Sequence, residues 1–336
     1  MYRALILLFS FMFSFNLYSQ QNKISKIHLK PKLEIGIEQT DFEFAVENVD
    51  TNYIFGRITD VASDKIGNIY IVDGPNNCIK KFDSAGTYML TIGQKGEGPG
   101  EFKRITDVFI TESGDVYVCD SGNRRISIFS SSGKFQNSYQ VTAMAMPARI
   151  VVDNQNNSYI IGFLTYSGDI IKKYNKHGVL VHEFCQWQKG ATLAAMAGNI
   201  GHLAVDEQNC IYYSFSFPYE IRKFSSAGEQ LQVIKRDVSF FKEPSRAKKT
   251  ESHIIGGEQT AKSAGLFLIP DSKILHIIWG KKEGFFSDVF RMDGKLLFNS
   301  PFEINGRFGH VDATGNIYII QDEPYPKIAK YKIFLD

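Results

Sequence analysis

The chain has few cysteines and tryptophans, and its charges almost cancel. It contains four cysteines and two tryptophans in 336 residues, and 38 lysines and arginines are balanced by 36 aspartates and glutamates. Charges that are this evenly balanced create no long-range field that would attract nucleic acid or an anionic membrane. We therefore expect no nucleic-acid partner.

Sequence signatures of catalysis are also lacking. The chain has no Gly-x-Ser-x-Gly, no His-Glu-x-x-His and no Cys-x-x-Cys, so the usual evidence for a serine hydrolase, a zinc protease or a cysteine-ligated metal is missing. The glycine-rich segment Gly93–Gly100 suggests a phosphate loop, but a strand follows it at Ile105–Asp107 where a phosphate loop needs a helix. A tight connection with glycines at positive φ is the better interpretation. The sequence thus favours a protein that is not an enzyme.

The four cysteines are Cys78, Cys119, Cys185 and Cys210. In an oxidising compartment they could form two disulfides, in three possible connectivities. Cys119 ends one strand and Cys78 begins another in the neighbouring repeat, so these two could meet if the repeats pack side by side. We expect free buried thiols or at most one bridge, because a closed ring of repeats does not need such cross-links.

The first nineteen residues predict a signal peptide. Arg3 provides a positive start, residues 4–15 form a hydrophobic stretch of 12 residues, and a more polar end runs to Ser19. A membrane span needs about 20 apolar residues, so this stretch is too short to remain as an anchor. No cysteine precedes Cys78, which excludes a lipoprotein. From residue 20 onward we expect a soluble extracytoplasmic chain, periplasmic or secreted, with no membrane span.

A helical period is missing throughout, and the chain instead repeats itself. The landmark residues of the first unit recur in the second at a constant offset, since 107−60, 120−73 and 133−86 are each 47. Each unit holds four short β-branched and aromatic runs separated by Gly, Asn, Asp and Ser. Four strands in a unit of roughly 40 to 50 residues are typical of a β-propeller blade.

Six copies predict an all-β, six-bladed β-propeller in a single domain, residues 20–336. The four-stranded blades fall approximately at 56–102, 103–147, 148–200, 201–262, 263–307 and 308–336. The sixth copy stops before a fourth strand. An open sheet edge leaves backbone donors unpaired and invites aggregation, so we expect the segment 20–55 to close the ring with an outer strand. Leu33–Ile37 and Phe42–Val46 are the candidates.

Two segments resemble the NHL-repeat family. Asp64–Asp73 reads Asp-x-x-Gly-Asn-Ile-Tyr-Ile-Val-Asp, and Asp120–Ile126 reads Asp-Ser-Gly-Asn-Arg-Arg-Ile. The run Gly93–Phe102 ahead of a blade is similar to that of exported six-bladed propeller proteins of bacteria, most of which have no assigned activity. The resemblance is strongest in blades 1 and 2 and poorest in blade 5. It implies the fold and leaves the function open, because propellers host unrelated chemistries.

Superposing the copies places polar residues at one end of the central channel. The aligned positions of the innermost strand carry, in blade order, Asp60, Asp107, Arg149, His202, Gly265 and Phe308. Polar groups that converge at a concave opening are typical of a site, so we predict that the first four bind a ligand. Asp60, Asp107 and His202 could hold a divalent metal such as Ca, and Arg149 could bind an anion. The alternative is that these side chains only cap turns or contact channel water.

Three long connections, 186–201, 237–264 and 298–309, should open on the same face, and the second carries the basic cluster Arg246–Lys249. Long loops on a rigid ring often carry binding residues. We therefore predict an exported, monomeric binding module for a small molecule, glycan, peptide or protein partner at this loop face. One alternative is a metal-dependent hydrolase or lyase with its site at the channel mouth. A purely structural envelope component is the other.

Overall fold

The described part of the chain folds into six four-stranded antiparallel sheets and the connections between their strands. The computed structural model describes residues 27–37, 50–165, 168–187, 200–242, 248–249, 254–255 and 260–335. Within five of the sheets the strands are bonded in chain order, and the sixth joins an N-terminal strand to three C-terminal ones. This arrangement confirms the predicted six-bladed propeller.

The strands of each blade are labelled a to d from the channel outward, since the first strands of neighbouring blades contact one another around the axis. In blades 1 to 3, strands a to d are Ile58–Ser63, Ile69–Asp73, Cys78–Phe82 and Tyr88–Ile92; Ile105–Ile110, Val116–Asp120, Arg125–Phe129 and Phe135–Gln140; and Met144–Val152, Ser158–Thr165, Asp169–Tyr174 and Leu180–Gln186. In blades 4 to 6 they are His202–Val205, Ile211–Ser214, Glu220–Phe224 and Gln230–Lys235; Ala261–Ile269, Lys273–Gly280, Gly284–Arg291 and Leu296–Phe302; and Arg307–Val311, Asn316–Gln321, Lys327–Leu335 and Ile27–Ile35.

Smaller elements lie in the connections. Gln94–Lys95 pairs in parallel with Glu101–Phe102, and Lys248–Lys249 pairs with Ile254–Ile255. One 3-10 turn spans Thr51–Tyr53.

The core lies between blades. Every residue of Ile69–Asp73 is buried, because both faces of this strand are covered by neighbouring sheets, as its uninterrupted apolar run predicts. Six apolar clusters each combine two adjacent blades; in one of them Val72 of blade 1 packs with Val118 of blade 2. Stability is therefore distributed around the ring and depends on the ring being closed.

An Asp–Tyr–Lys unit recurs at the turn between strands a and b in four blades. The aspartate accepts a hydrogen bond from the tyrosine hydroxyl of strand b, at 3.0 to 3.4 Å, and a lysine of strand c lies over that ring, 5.0 to 5.4 Å from its centroid. The units are Asp64–Tyr70–Lys81, Asp153–Tyr159–Lys173, Asp206–Tyr212–Lys223 and Asp312–Tyr318–Lys330. Lys81 and Lys173 also donate to a backbone carbonyl of the next blade, Ser131 and Ser226 respectively.

The N-terminal segment closes the ring, as predicted. Ile27–Ile35 pairs antiparallel with Lys327–Leu335, from Ile27 opposite Leu335 to Ile35 opposite Ile328. It supplies strand d of blade 6, and Ile35 is buried in the cluster that joins blades 6 and 1. Of the two candidates, Leu33–Ile37 overlaps the strand, and Phe42–Val46 lies outside the described residues.

The connections differ from the sequence expectation at two places. Strand a of blade 3 starts at Met144, four residues before the predicted boundary at 148. The third connection is short, because strand d of blade 5 extends to Phe302 and the next strand starts at Arg307. Residues 188–199 of the first long connection and most of 243–259 in the second, Arg246 included, are outside the described residues.

The glycine-rich connection Gly93–Gly100 is held by protein contacts. The Arg125 guanidinium donates to the carbonyls of Glu97, Gly98 and Glu101 at 2.6 to 2.9 Å. Gly93 and Gly100 have φ of 73° and 80°, the left-handed region that favours glycine. These contacts support a structural connection rather than a phosphate loop.

All four cysteines are unpaired thiols, and Cys78, Cys119 and Cys185 are buried. The pairing considered for Cys78 and Cys119 is not formed, in line with the expectation of free thiols. Across the described ranges, no helix is long and apolar enough to cross a membrane.

Candidate functional site

The a strands of the six blades surround a cavity of about 600 Å³ in the central channel. All four residues predicted from the repeat, Asp60, Asp107, Arg149 and His202, line it. They converge because each occupies the same register on a strand that faces the axis. The cavity wall has a carboxyl sector, a cationic sector and an aromatic sector.

The carboxyl sector, Asp60 and Asp107, also joins blades. Asp60 Oδ2 accepts a hydrogen bond of 2.9 Å from the Val108 amide of blade 2. Asp107 Oδ2 accepts one of 2.8 Å from the Ile150 amide of blade 3. Strand a is irregular next to each aspartate. Both side chains thus satisfy backbone donors of the next blade, a structural role that the repeat alignment did not predict.

These two carboxyl groups are close enough to influence each other's protonation. Burial raises the pKa of Asp60 to about 6, against the lowering effect of the Val108 amide and of Arg149. Burial, followed by the negative charge of Asp60, raises the pKa of Asp107 well above its ordinary value. Two neighbouring carboxyl groups resist being ionised at the same time, because their negative charges repel each other. Burial and mutual repulsion therefore both favour the protonated form of this pair.

The cationic sector comes from three consecutive blades: Arg149, His202 and Lys262. Arg149 Nη1 lies 3.9 Å from Asp107 Oδ1, and its side chain remains 39% exposed to the cavity. Burial lowers the pKa of Lys262, and Arg149 lowers it further. Burial and then Arg149 hold the pKa of His202 well below its usual range, so this imidazole is neutral. The sector thus combines two basic side chains that repel each other with a neutral imidazole.

Aromatic side chains cover the side formed by blades 5 and 6. Phe267, Trp279, Phe285 and Phe308 line the cavity there. The rings of Phe285 and Phe308 meet edge to face at 5.3 Å, and Lys262 Nζ lies 5.7 Å from the centroid of Trp279. An apolar surface therefore stands directly beside a cation.

Sequence reasoning missed Lys262, Trp279 and Arg307. Lys262 was assigned to a long connection, but strand a of blade 5 begins at Ala261 and places Lys262 opposite Trp279. Arg307 donates to the Ile58 carbonyl at 2.8 Å and so joins blade 6 to blade 1. In blade 5 the aligned position holds Gly265, which has no side chain, so the alignment did not lead to the first two. Strict alignment to the aspartate position pointed to Phe308 rather than its neighbour Arg307.

Side chains from strand a bond to the backbone of the next blade at four of the six junctions. The pairs are Asp60 with Val108, Asp107 with Ile150, His202 with Ser263 and Arg307 with Ile58. The strands that line the cavity therefore also form hydrogen bonds between neighbouring blades. Among the described residues, Arg149 and Lys262 make no such bond to a neighbouring backbone, and both line the cavity.

A buried polar chain lies beneath the cationic sector. Ser263 Oγ is 3.0 Å from both Ser214 Oγ and His276 Nε2. Burial lowers the pKa of His276 to about 3, and its Nδ1 has no hydrogen-bond partner among the described residues. An unpaired Nδ1 costs less free energy without a hydrogen than as a buried N–H donor without an acceptor. The proton is therefore assigned to Nε2, which donates to Ser263. In that tautomer the imidazole cannot take the proton of the serine, so this pair is not an activated nucleophile.

The predicted metal trio does not assemble. Within the described ranges, no three His, Cys, Asp or Glu side chains converge in an arrangement that could hold a metal ion. Asp60, Asp107 and His202 share the cavity, but one oxygen of each aspartate is committed to a backbone amide and Arg149 lies next to Asp107. The donor set therefore does not fit the divalent metal considered from the sequence.

Comparison with known proteins agrees with this architecture. The family model DUF5128, described as a 6-bladed beta-propeller, matches residues 38–305. Among curated proteins, none matches the chain.

Solved structures share the fold at low identity. A Bacteroides fragilis protein described, by inference, as exported aligns with a TM-score of 0.62 and 10% identity, over 92% of this chain and 95% of that one. A DUF4221 member from Bacteroides vulgatus aligns with a TM-score of 0.61 and 8% identity, over 94% of this chain and 100% of that one. Virginiamycin B lyase from Staphylococcus aureus aligns with a TM-score of 0.58 and 12% identity, over 92% of this chain and 99% of that one. Identities this low establish a common fold and leave activity open.

Proposed function

We propose a binding function for this chain, which belongs to the DUF5128 family of six-bladed beta-propellers. It is an exported protein that captures small anionic molecules at its channel mouth. Export is supported by the N-terminal sequence, with Arg3 ahead of the hydrophobic residues 4–15, and by the exported description of the Bacteroides fragilis neighbour. The mature protein is expected to act as a monomer.

The observation that carries the proposal is a pair of mutually repelling basic side chains, Arg149 and Lys262, inside the cavity. Arg149 is 3.9 Å from its nearest acidic oxygen and 39% exposed, whereas a satisfied guanidinium–carboxylate pair has N···O distances of roughly 2.7–2.9 Å. Lys262 is partly buried beside Arg149. An incoming anion would relieve the repulsion between these two cations, and enclosure by protein strengthens that attraction relative to open water.

A binding role fits the cavity better than metal-dependent hydrolysis or elimination. The volume of about 600 Å³ lies within the range of roughly 300–1,000 Å³ that holds small ligands. The described residues offer neither a metal site nor an activated serine at Ser263. The enzyme alternative therefore has no observation in its favour beyond the fold of a lyase.

Charged quenchers of tryptophan fluorescence test the proposal directly. The chain has only two tryptophans, Trp187 and Trp279, so a Trp187→Phe variant reports on the cavity alone. With each Stern–Volmer slope divided by that of the same ion on free tryptophan, iodide should quench Trp279 at least about twofold more steeply than caesium. This preference should disappear in the added double variant Arg149→Met with Lys262→Met. Lys134→Met, an exposed lysine at a turn on the opposite face, is the matched control. Equal slopes for the two ions, or a preference that survives the double variant, would overturn the proposal.

A further inference from the structure

The three sectors of the cavity wall together specify more than charge. We propose that the channel mouth binds an acidic sugar, a ring that bears a carboxylate together with hydroxyl groups; this inference rests on the proposed function and names its ligand class. No simple anion would use all three sectors. Each sector supplies a separate step of the argument.

The cationic sector would receive the carboxylate. Arg149 projects from strand a of blade 3 and Lys262 from strand a of blade 5, with the neutral His202 of blade 4 between them in the ring order. A planar guanidinium pairs with a carboxylate through two parallel N–H donors. Lys262 adds a point charge from the side, and a neutral His202 can exchange hydrogen bonds without adding repulsion.

The carboxyl sector would receive hydroxyl groups. Asp60 and Asp107 each use Oδ2 for a backbone amide of the next blade, so their orientation is fixed before any ligand enters. An ionised carboxylate is a strong acceptor for a hydroxyl donor, and a protonated one can both donate and accept. Two carboxyl groups held in fixed orientations therefore suit a ligand with adjacent hydroxyls. The raised pKa of both also lessens their repulsion of an anion.

The aromatic sector would receive the apolar face of the ring. Trp279 and Phe285 stand on strands b and c of blade 5, opposite each other in register, and both line the cavity. The electron-rich face of an indole attracts the polarised C–H groups of a pyranose, as it attracts the positive edge of another ring. Because Lys262 lies beside Trp279, a ring stacked there would hold its carboxylate next to the lysine.

Titration calorimetry with matched trisaccharides tests this ligand class. The probes are trigalacturonate, neutral galactotriose and sodium acetate, each titrated into the Trp187→Phe protein at low ionic strength. Trigalacturonate should bind at least about tenfold more tightly than either of the other two, and it should quench Trp279. Trp279→Leu should reduce its affinity about tenfold, whereas Lys134→Met should leave it unchanged.

The outcomes separate the ligand class from the proposed function. If acetate binds as tightly as trigalacturonate, or if Trp279→Leu leaves trigalacturonate binding intact, the sugar inference is overturned while anion capture stands. If galactotriose binds as tightly as trigalacturonate, or Arg149→Met has no effect on the acidic probe, both are overturned. If no probe binds to a protein that shows the iodide preference, the acidic-sugar inference fails alone.

Discussion

Two halves of the channel mouth line one cavity but make different contacts. On blades 1 and 2, Asp60 and Asp107 hold the next blade through its backbone amides. On blades 3 and 5, Arg149 and Lys262 direct charge into the cavity, and of these two, within the described residues, Arg149 has an acidic oxygen nearby, at 3.9 Å. A place on the innermost strand therefore brings a side chain to the channel, and its chemistry decides whether it also bonds to the backbone of the next blade.

The largest effect should follow from opening the ring on which both halves depend. Deleting residues 20–35 removes strand d of blade 6 and exposes the edge of Lys327–Leu335. We expect loss of the cooperative melting transition together with aggregation, because unpaired edge strands associate. Deleting residues 20–25 alone is the control and should melt like the intact chain. A cooperative transition at the original temperature in the longer deletion would contradict the role of the strand.

The carboxyl half should contribute measurably to stability. Replacing both Asp60 and Asp107 with alanine leaves the amides of Val108 and Ile150 without acceptors, at a cost of about 1–3 kcal/mol for each buried donor. Relief of the buried negative charge offsets part of this, so we expect the free energy of unfolding to fall by about 2 kcal/mol. Denaturant unfolding at pH 7 measures it. The control is Glu112→Ala, a change at an exposed acidic residue on the opposite face. If the double variant loses no more free energy of unfolding than this control, the aspartates only line the cavity.

The same half should give a distinctive pH dependence. The folded pKa of Asp60, about 6, lies above its ordinary value of 3.8. Between these values the folded protein holds the proton more tightly, so the Asp60 contribution to the free energy of unfolding declines as pH rises from about 4 to above 6. With allowance for channel water, we expect a decline of about 1–2 kcal/mol.

The histidines complicate the measured curve. The lowered pKa values of His202, His276 and His310 act in the opposite direction, because the unfolded chain takes up those protons first as pH falls. The informative quantity is therefore the difference between the intact protein and Asp60→Asn, which keeps an oxygen acceptor for Val108. A difference that stays constant from pH 4 to pH 7 would rule out the raised Asp60 pKa.

The cationic half should have the smallest effect on stability. Lys262→Met removes a charge that burial and Arg149 disfavour and keeps a side chain of similar length. We expect the free energy of unfolding to change by less than about 0.5 kcal/mol or to rise slightly, with Lys134→Met as the reference. A loss comparable to that of the double alanine variant would place Lys262 with the structural half and erase the distinction between the two.

The sequence by itself determined the ring. The constant offset of 47 between the first two units, the apolar runs such as Ile69–Asp73 and the absent fourth strand after Tyr331 identified six blades and the N-terminal closure. This worked because a blade is a local unit whose turns and strands follow from nearby residues. The same register placed Asp60, Asp107, Arg149 and His202 at one mouth.

The tertiary structure alone decided how those residues divide the work. Whether Asp60 faces a ligand or the Val108 amide depends on a contact between residues 48 apart in the chain, and no local pattern encodes the spacing between blades. Lys262 and Trp279 entered the site from blade 5, where the repeat alignment led to Gly265 instead. The charge balance of the cavity is a sum over all six blades, because electrostatic interaction depends on distance through space and on enclosure rather than on sequence order.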